Sequence, residues 1–107
     1  MNVINIPEEL LDTAKNYLDI TWDDEAADEK LSNSLRRGIA YISAKTGVSA
    51  EQFSGLDVNY RAQELLLNYV LYDRSGATAE FKKNYRGDLI ALRMLWEVNN
   101  HETNAAD

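Results

Sequence analysis

Residues 61–76 read R-A-Q-E-L-L-L-N-Y-V-L-Y-D-R-S-G, and the fold turns on how this stretch is read. Ala62, Leu65, Leu66, Tyr69, Val70 and Asp73 recur at helical steps of three and four, which puts them on one face of an amphipathic helix. Leu67, Leu71 and Tyr72 are apolar too, and they lie off that face. A helix that is apolar nearly all round is buried nearly all round. Two arrangements satisfy it. Either the remaining helices wrap a central one, or the helix is part core and part subunit interface.

The chain on either side sets the limits. At 107 residues it makes one domain, and a domain of this size buries roughly 65% of its unfolded surface, enough to fold unaided with little margin. There is no Cys, so no disulfide staples the fold and no thiolate serves as ligand or nucleophile. No apolar run approaches the roughly 20 residues of a membrane span. The opening Met1-Asn2-Val3-Ile4-Asn5 has neither the basic nor the apolar region of an export signal, and synthesis in the cytoplasm is expected.

Charge is unevenly spread. Residues 1–30 carry nine acids against Lys15 and Lys30, the whole net charge of −7, whereas residues 31–107 carry nine acids and nine Lys or Arg. A chain this acidic, with no basic stripe, is a poor ligand for nucleic acid, since phosphate binding runs on cation neutralisation and counterion release.

Moving outward, Pro7-Glu8-Glu9 opens a short first helix with the stripe Ile6, Leu10, Leu11, Ala14 and Leu18. Thr21-Trp22-Asp23-Asp24 starts a second helix, with Asp23 or Asp24 as its cap. Ala27, Leu31, Leu35, Ile39 and Ile42 follow at steps of 4, 4, 4 and 3, and Lys45-Thr46-Gly47 makes a helix end. Gly38, mid-helix, costs roughly 1 kcal/mol relative to Ala. Close approach of a neighbouring helix accounts for it, and so does simple tolerance. Residues 48–59 form a connector in which Ser49 to Phe53 make one helical turn, with Phe53 and Leu56 expected to plug the core edge. Asp73-Arg74-Ser75-Gly76 stops the central helix. A last helix begins near Thr78, with Phe81, Tyr85, Leu89, Leu92 and Trp96 as one stripe and Ile90, Ala91, Met94, Leu95 and Val98 on other faces. Its apolar surface is again wider than one core needs. Residues 1–98 are expected to form a single helical domain and residues 99–107, which hold the one His, His101, a frayed polar tail. The fold class is all-α: three main helices plus a short N-terminal one, antiparallel through short connections.

Familiar catalytic chemistry is missing. No Cys or Ser nucleophile pairs with a structured His, no glycine-rich phosphate cradle occurs, and the acids Asp23, Asp24, Glu25, Asp28 and Glu29 lack the Gly and the alternation of a calcium loop. These acids suit the positive end of a helix dipole. No enzyme, cofactor or metal role is expected. Arg74, Lys82, Lys83 and Arg86 against Glu80 give a local charge of +3 around the turn before the last helix, interleaved with Tyr72, Phe81 and Tyr85. Three readings fit this patch: an ordinary surface loop with its aromatics in the core, a docking patch for an acidic protein surface, and a nucleic-acid contact. The acidic first third of a neighbouring copy is one such surface, and that head-to-tail pairing would close into a ring or run on as a filament.

Three segments carry a resemblance. The first is Leu18-Asp19-Ile20 leading to Asp23-Asp24-Glu25 and the Leu31 to Ile42 helix with Ala40-Tyr41-Ile42. The second is Ala62 to Arg74, ending in Tyr72-Asp73-Arg74; the third is Phe81, Asn84-Tyr85 and Asp88-Leu89 to Leu92-Arg93. Across roughly residues 18–98 the chain resembles the small head–tail connector (adaptor, head-completion or DNA-packaging) proteins of long-tailed bacteriophages. The resemblance implies a structural virion protein at the head–tail junction. It would form a ring with copies of itself beneath the portal protein, extend the DNA channel, and present a surface to the next head-completion or tail-joining protein. Genomic DNA would slide past without specific binding, and no membrane is involved. Contact residues are expected at Tyr72, Arg74, Phe81, Lys82, Lys83, Tyr85 and Arg86, with Met94 and Trp96 on the last helix; aromatic and Arg side chains are favoured interface anchors. The alternative is a small helical adaptor or regulatory protein that binds another protein through its acidic N-terminal third.

Overall fold

The computed structural model describes residues 4–105, with side chains up to Asn99. It holds α1 (Glu8–Tyr17), α2 (Glu25–Thr46), a 3-10 turn (Ala50–Phe53), α3 (Tyr60–Arg74), α4 (Thr78–Asn84) and α5 (Arg86–Ala105), with no strand among the described residues. The expected all-α class is what the molecule has, with five α-helices among the described residues in place of four.

Local chemistry sets most of the boundaries. Pro7 caps α1 rather than opening it, and its carbonyl accepts from Leu10 N and Leu11 N. The Asp24 carboxylate accepts from Ala26 N at 3.0 Å and caps α2. Gly47, at φ 84, ends α2 in the left-handed conformation that glycine adopts without strain. Asn59 caps α3 by accepting from Ala62 N at 3.1 Å.

The core lies between α2 and α3, closed by α1, the 3-10 turn, α4 and the first turns of α5. Leu31, Leu35, Ile39 and Ile42 meet Ala62, Leu65, Leu66, Tyr69 and Val70, with Leu10, Ala14, Val48, Phe53, Phe81, Leu89 and Leu92 around them. Gly38 marks the closest approach. A Cβ there would sit 2.6 Å from Leu66 Cδ1 and 2.8 Å from Tyr69 Cδ1, so close packing of α2 on α3 is the reason for the glycine. The wide apolar surface of α3 is mostly sealed from within: Leu67 is buried, Tyr72 is half-buried, and Leu71 alone of the three is exposed.

Three expectations are corrected. Leu56 does not plug the core edge; it stands fully in solvent, and Phe53 alone fills that place. The last helix is two helices, since Tyr85 leaves helical geometry at φ −106, ψ 11. The hydrogen-bond ladder passes through the break, from Tyr85 N to Phe81 O and from Leu89 N to Tyr85 O, which is why the inward spacing runs on across it. Finally, α5 does not end at residue 98 but is helical to Ala105. No Gly or Pro follows Gly87, so nothing in the sequence stops it. His101 lies outside the residues whose side chains are described.

Candidate functional site

Seen down its axis, α5 is apolar on two opposite sides. Leu89 and Leu92 are buried and Trp96 is half-buried, and these face the core. About 100° per residue places Ile90, Ala91, Met94, Leu95 and Val98 in a band on the far side. All five are exposed, Met94 to 61% and Val98 to 53%. Scattered surface apolar residues are ordinary; these five make a continuous band along one helix. Ala91, Met94, Leu95 and Val98 also follow the i, i+3, i+4, i+7 spacing by which one helix packs on another.

A groove runs along each side of this ridge. One, of about 380 Å³, lies between α3 and α5 and is lined by Arg61, Glu64, Leu65, Asn68, Tyr85, Asp88, Ala91 and Leu92. Its charges are mixed. Tyr17 reaches it from α1 and donates to Asn68 Oδ1 at 3.0 Å. Burial, then the neighbouring Tyr72, pushes the Tyr85 phenol above its ordinary range.

The other groove, of about 330 Å³, is walled by α2, α4 and α5. Its floor is Tyr41, Leu89 and Ile90, and its rim is Lys45, Lys82, Arg86 and Arg93, with no carboxylate in the lining. Lys82 Nζ sits 4.8 Å and Lys45 Nζ 5.7 Å from the centre of the Tyr41 ring, so both ammonium groups lean on one aromatic ring. Arg93 is held outward by Glu97, which accepts from its Nε at 3.0 Å. An aromatic string supports the floor: Tyr41 on Tyr69, Tyr69 on Phe81, and Phe81 stacked on Tyr85 with ring centres 4.8 Å apart.

These positions redistribute the expected contact residues. Lys82, Lys83, Arg86 and Arg74 are exposed, and so is Met94. Phe81 is fully buried, because α4 turns that side chain against Tyr69 and Tyr72 while its neighbour Lys82 faces out. Tyr72 and Tyr85 are half-buried and brace the string. Trp96 is half-buried as well, close against Gly47, where an added methyl would meet its Cδ1 at 3.3 Å. Arg74 does not share the groove of Lys82 and Arg86. It lines a separate one with Lys30, Asn33, Ser34, Arg37 and Asp73. There Asp73 accepts from Ser34 Oγ and from Arg37 Nη2, both at 2.6 Å. Burial raises the Asp73 carboxyl, but those hydrogen bonds and the Arg37 charge outweigh it and hold the group below the usual carboxylate range.

Tyr41, Lys45, Leu89, Ile90 and Arg93 complete the basic groove and were not among the expected contacts. Within α2 the pairing of Tyr41 with Lys45 at i, i+4 was legible; that α4 and α5 would land beside it was not.

The opposite pole of α2 is acidic. Asp19, at φ 59, turns the chain out of α1, and Ile20 N donates to Lys15 O at 2.8 Å. Lys15 Nζ binds Asp28 at 2.7 Å and Asp23 at 3.4 Å, and the bond with Asp28 raises its pKa above the ordinary value. Trp22 stands on this pinned turn, 57% exposed. No group of three or more His, Cys, Asp or Glu able to hold a metal ion occurs among the described residues, and none of their helices is long and apolar enough to cross a membrane.

Comparison with protein-family models, with curated proteins and with solved structures finds no match.

Proposed function

We propose that this chain is a structural assembly protein of the phage head–tail connector kind, which forms a ring with its own copies under the portal, extends the DNA channel, and offers a docking surface to the next head-completion or tail-joining protein. The observation that carries the reading is the outward ridge of α5. Ile90, Met94, Leu95 and Val98 are all exposed on a helix whose opposite face is already built into the core. A ridge flanked by grooves suits a protein that works by being packed against others. The charge fits the channel role: −7 per copy, repeated around a ring, repels DNA and lets it pass without sticking.

Native mass spectrometry of the protein alone and mixed with the portal protein of the same phage tests this directly. A ring or a portal complex is expected; a monomer under both conditions would remove the proposal. Lys82→Glu with Lys83→Glu is expected to weaken assembly or portal docking while circular dichroism keeps its helical signal. Duplex DNA should show no retardation on a gel near physiological salt.

A further inference from the structure

The strongest unclaimed pairing in the molecule is between its two poles. We infer that the Trp22 turn of one copy seats in the basic groove of a second copy, with the Trp22 indole against Tyr41, Leu89 and Ile90 and with Asp19 and Asp23 facing Lys45, Lys82 and Arg86. The inference rests on the assembly reading and names its contact.

Four observations lead to it. Trp22 is exposed on a turn where its own core has no place for it, and Trp is among the side chains that most often anchor interfaces. The turn is pre-set by the Ile20–Lys15 hydrogen bond, the Lys15 ion pairs and the Asp24 cap, so little order is lost on docking. The charges are complementary: nine acids against two lysines in residues 1–30, and in the groove lining Lys45, Lys82 and Arg86 without a carboxylate beside the Glu97-paired Arg93. Lys82 and Arg86 stand where they could flank an indole, a favoured cation–aromatic arrangement.

One chain cannot satisfy itself. The turn precedes the first residue of α2 and the groove takes Tyr41 and Lys45 near its last, roughly 25–30 Å apart at the rise of an α-helix. Donor and acceptor poles on one rigid helix make a heterologous contact, which propagates from copy to copy until rotation closes it into a ring.

The test uses two full-length variants, each disabling one pole: Trp22→Ala, and Lys45→Glu with Lys82→Glu. All of these side chains are exposed, so circular dichroism and thermal melting should match the parent chain. Sedimentation velocity and native mass spectrometry are run on each variant alone and on their mixture, and with the portal protein added if the parent chain assembles only on it. Each variant alone is expected to lose self-association by about tenfold or more. Their mixture is expected to give heterodimers and nothing larger, since one intact turn meets one intact groove and both outer ends are dead. In a Trp96→Phe background, Trp22 emission should shift to the blue on assembly, and this shift should vanish with Lys45→Glu and Lys82→Glu.

Assembly that survives both variants, or a mixture that stays monomeric, overturns this contact and leaves the assembly reading standing. So does a groove variant that fails to bind the portal while Trp22→Ala binds it normally, which would make the portal the occupant. A parent chain that is monomeric both alone and with the portal removes the assembly reading and this contact together.

Discussion

Helices α3 and α5 carry the same signature, apolar residues on more sides than one core requires, and the fold treats them oppositely. Around α3 the rest of the chain closes: α2 presses on it across Gly38, α4 and the 3-10 turn cover its flanks, and Leu71, with Tyr60 at the first residue, is what remains outside. Against α5 the core takes Leu89, Leu92 and the half-buried Trp96, and the second face stays open from Ile90 to Val98. An all-round apolar helix therefore has two fates, and what packs against it decides between them. Elements lie on several sides of α3 and on one side of α5 among the described residues.

The contrast is sharpest if side chains of like character are changed on both helices. Leu66→Ala, on the sealed helix, is expected to cost about 2–5 kcal/mol in urea or thermal unfolding, because Leu66 is fully buried and the cavity cannot collapse against α2. A loss under about 1 kcal/mol would mean that α3 is not the packed centre.

Asp73→Ala should come next, at about 1–3 kcal/mol, since it strips the partner from the buried Ser34 hydroxyl and from Arg37. The pH dependence has a fixed sign. The folded Asp73 carboxyl titrates below its ordinary range, so its contribution is in full force above about pH 4 and is lost as pH falls through the lower folded value. Asp73→Ala should accordingly flatten the acid limb of the stability curve and leave the neutral region parallel to the parent.

Gly38→Ala is expected to cost about 1–2 kcal/mol. The added methyl must displace Leu66 Cδ1 and Tyr69 Cδ1, and the resulting strain is partly offset by the better helix propensity of alanine. A gain in stability would show that α2 can back away from α3, and with it that the sealing of α3 is loose.

What the sequence disclosed, and what it hid, divides along the same line. Caps and stops were legible because they are local: Asp24 and Gly47 act on their own helix through nearby backbone atoms. So was the Leu31, Leu35, Ile39, Ile42 stripe, whose spacing is its own signal. The break at Tyr85 was hidden because inward spacing continues through it with no Gly or Pro at the joint. Leu56 was hidden because an apolar residue in a connector carries no period to place it. Phe81 was legible as the first residue of the inward stripe that runs through Tyr85, with Lys82 beside it facing out. The basic groove needed residues 41 and 45 beside 82, 86, 89, 90 and 93, a juxtaposition that no local pattern encodes.

The smallest expected change in stability belongs to the open ridge. Met94→Lys with Val98→Lys puts two charges on the outward face of α5, where both native side chains already meet water. Lysine is a good helix former and exposed substitutions away from packed features shift stability within about 0.5 kcal/mol, so the melting temperature should barely move. Assembly is another matter, because burying two ammonium groups against an apolar partner carries a desolvation cost that nothing in the ridge would offset. Helicity unchanged and oligomer or portal complex lost is the expected pair of readings. A large drop in stability would mean that the face is covered by the chain itself, erasing the difference between α5 and α3. Unaltered stability together with unaltered assembly would move the contact off the ridge and onto the grooves beside it, where the Lys45 and Lys82 variants already probe.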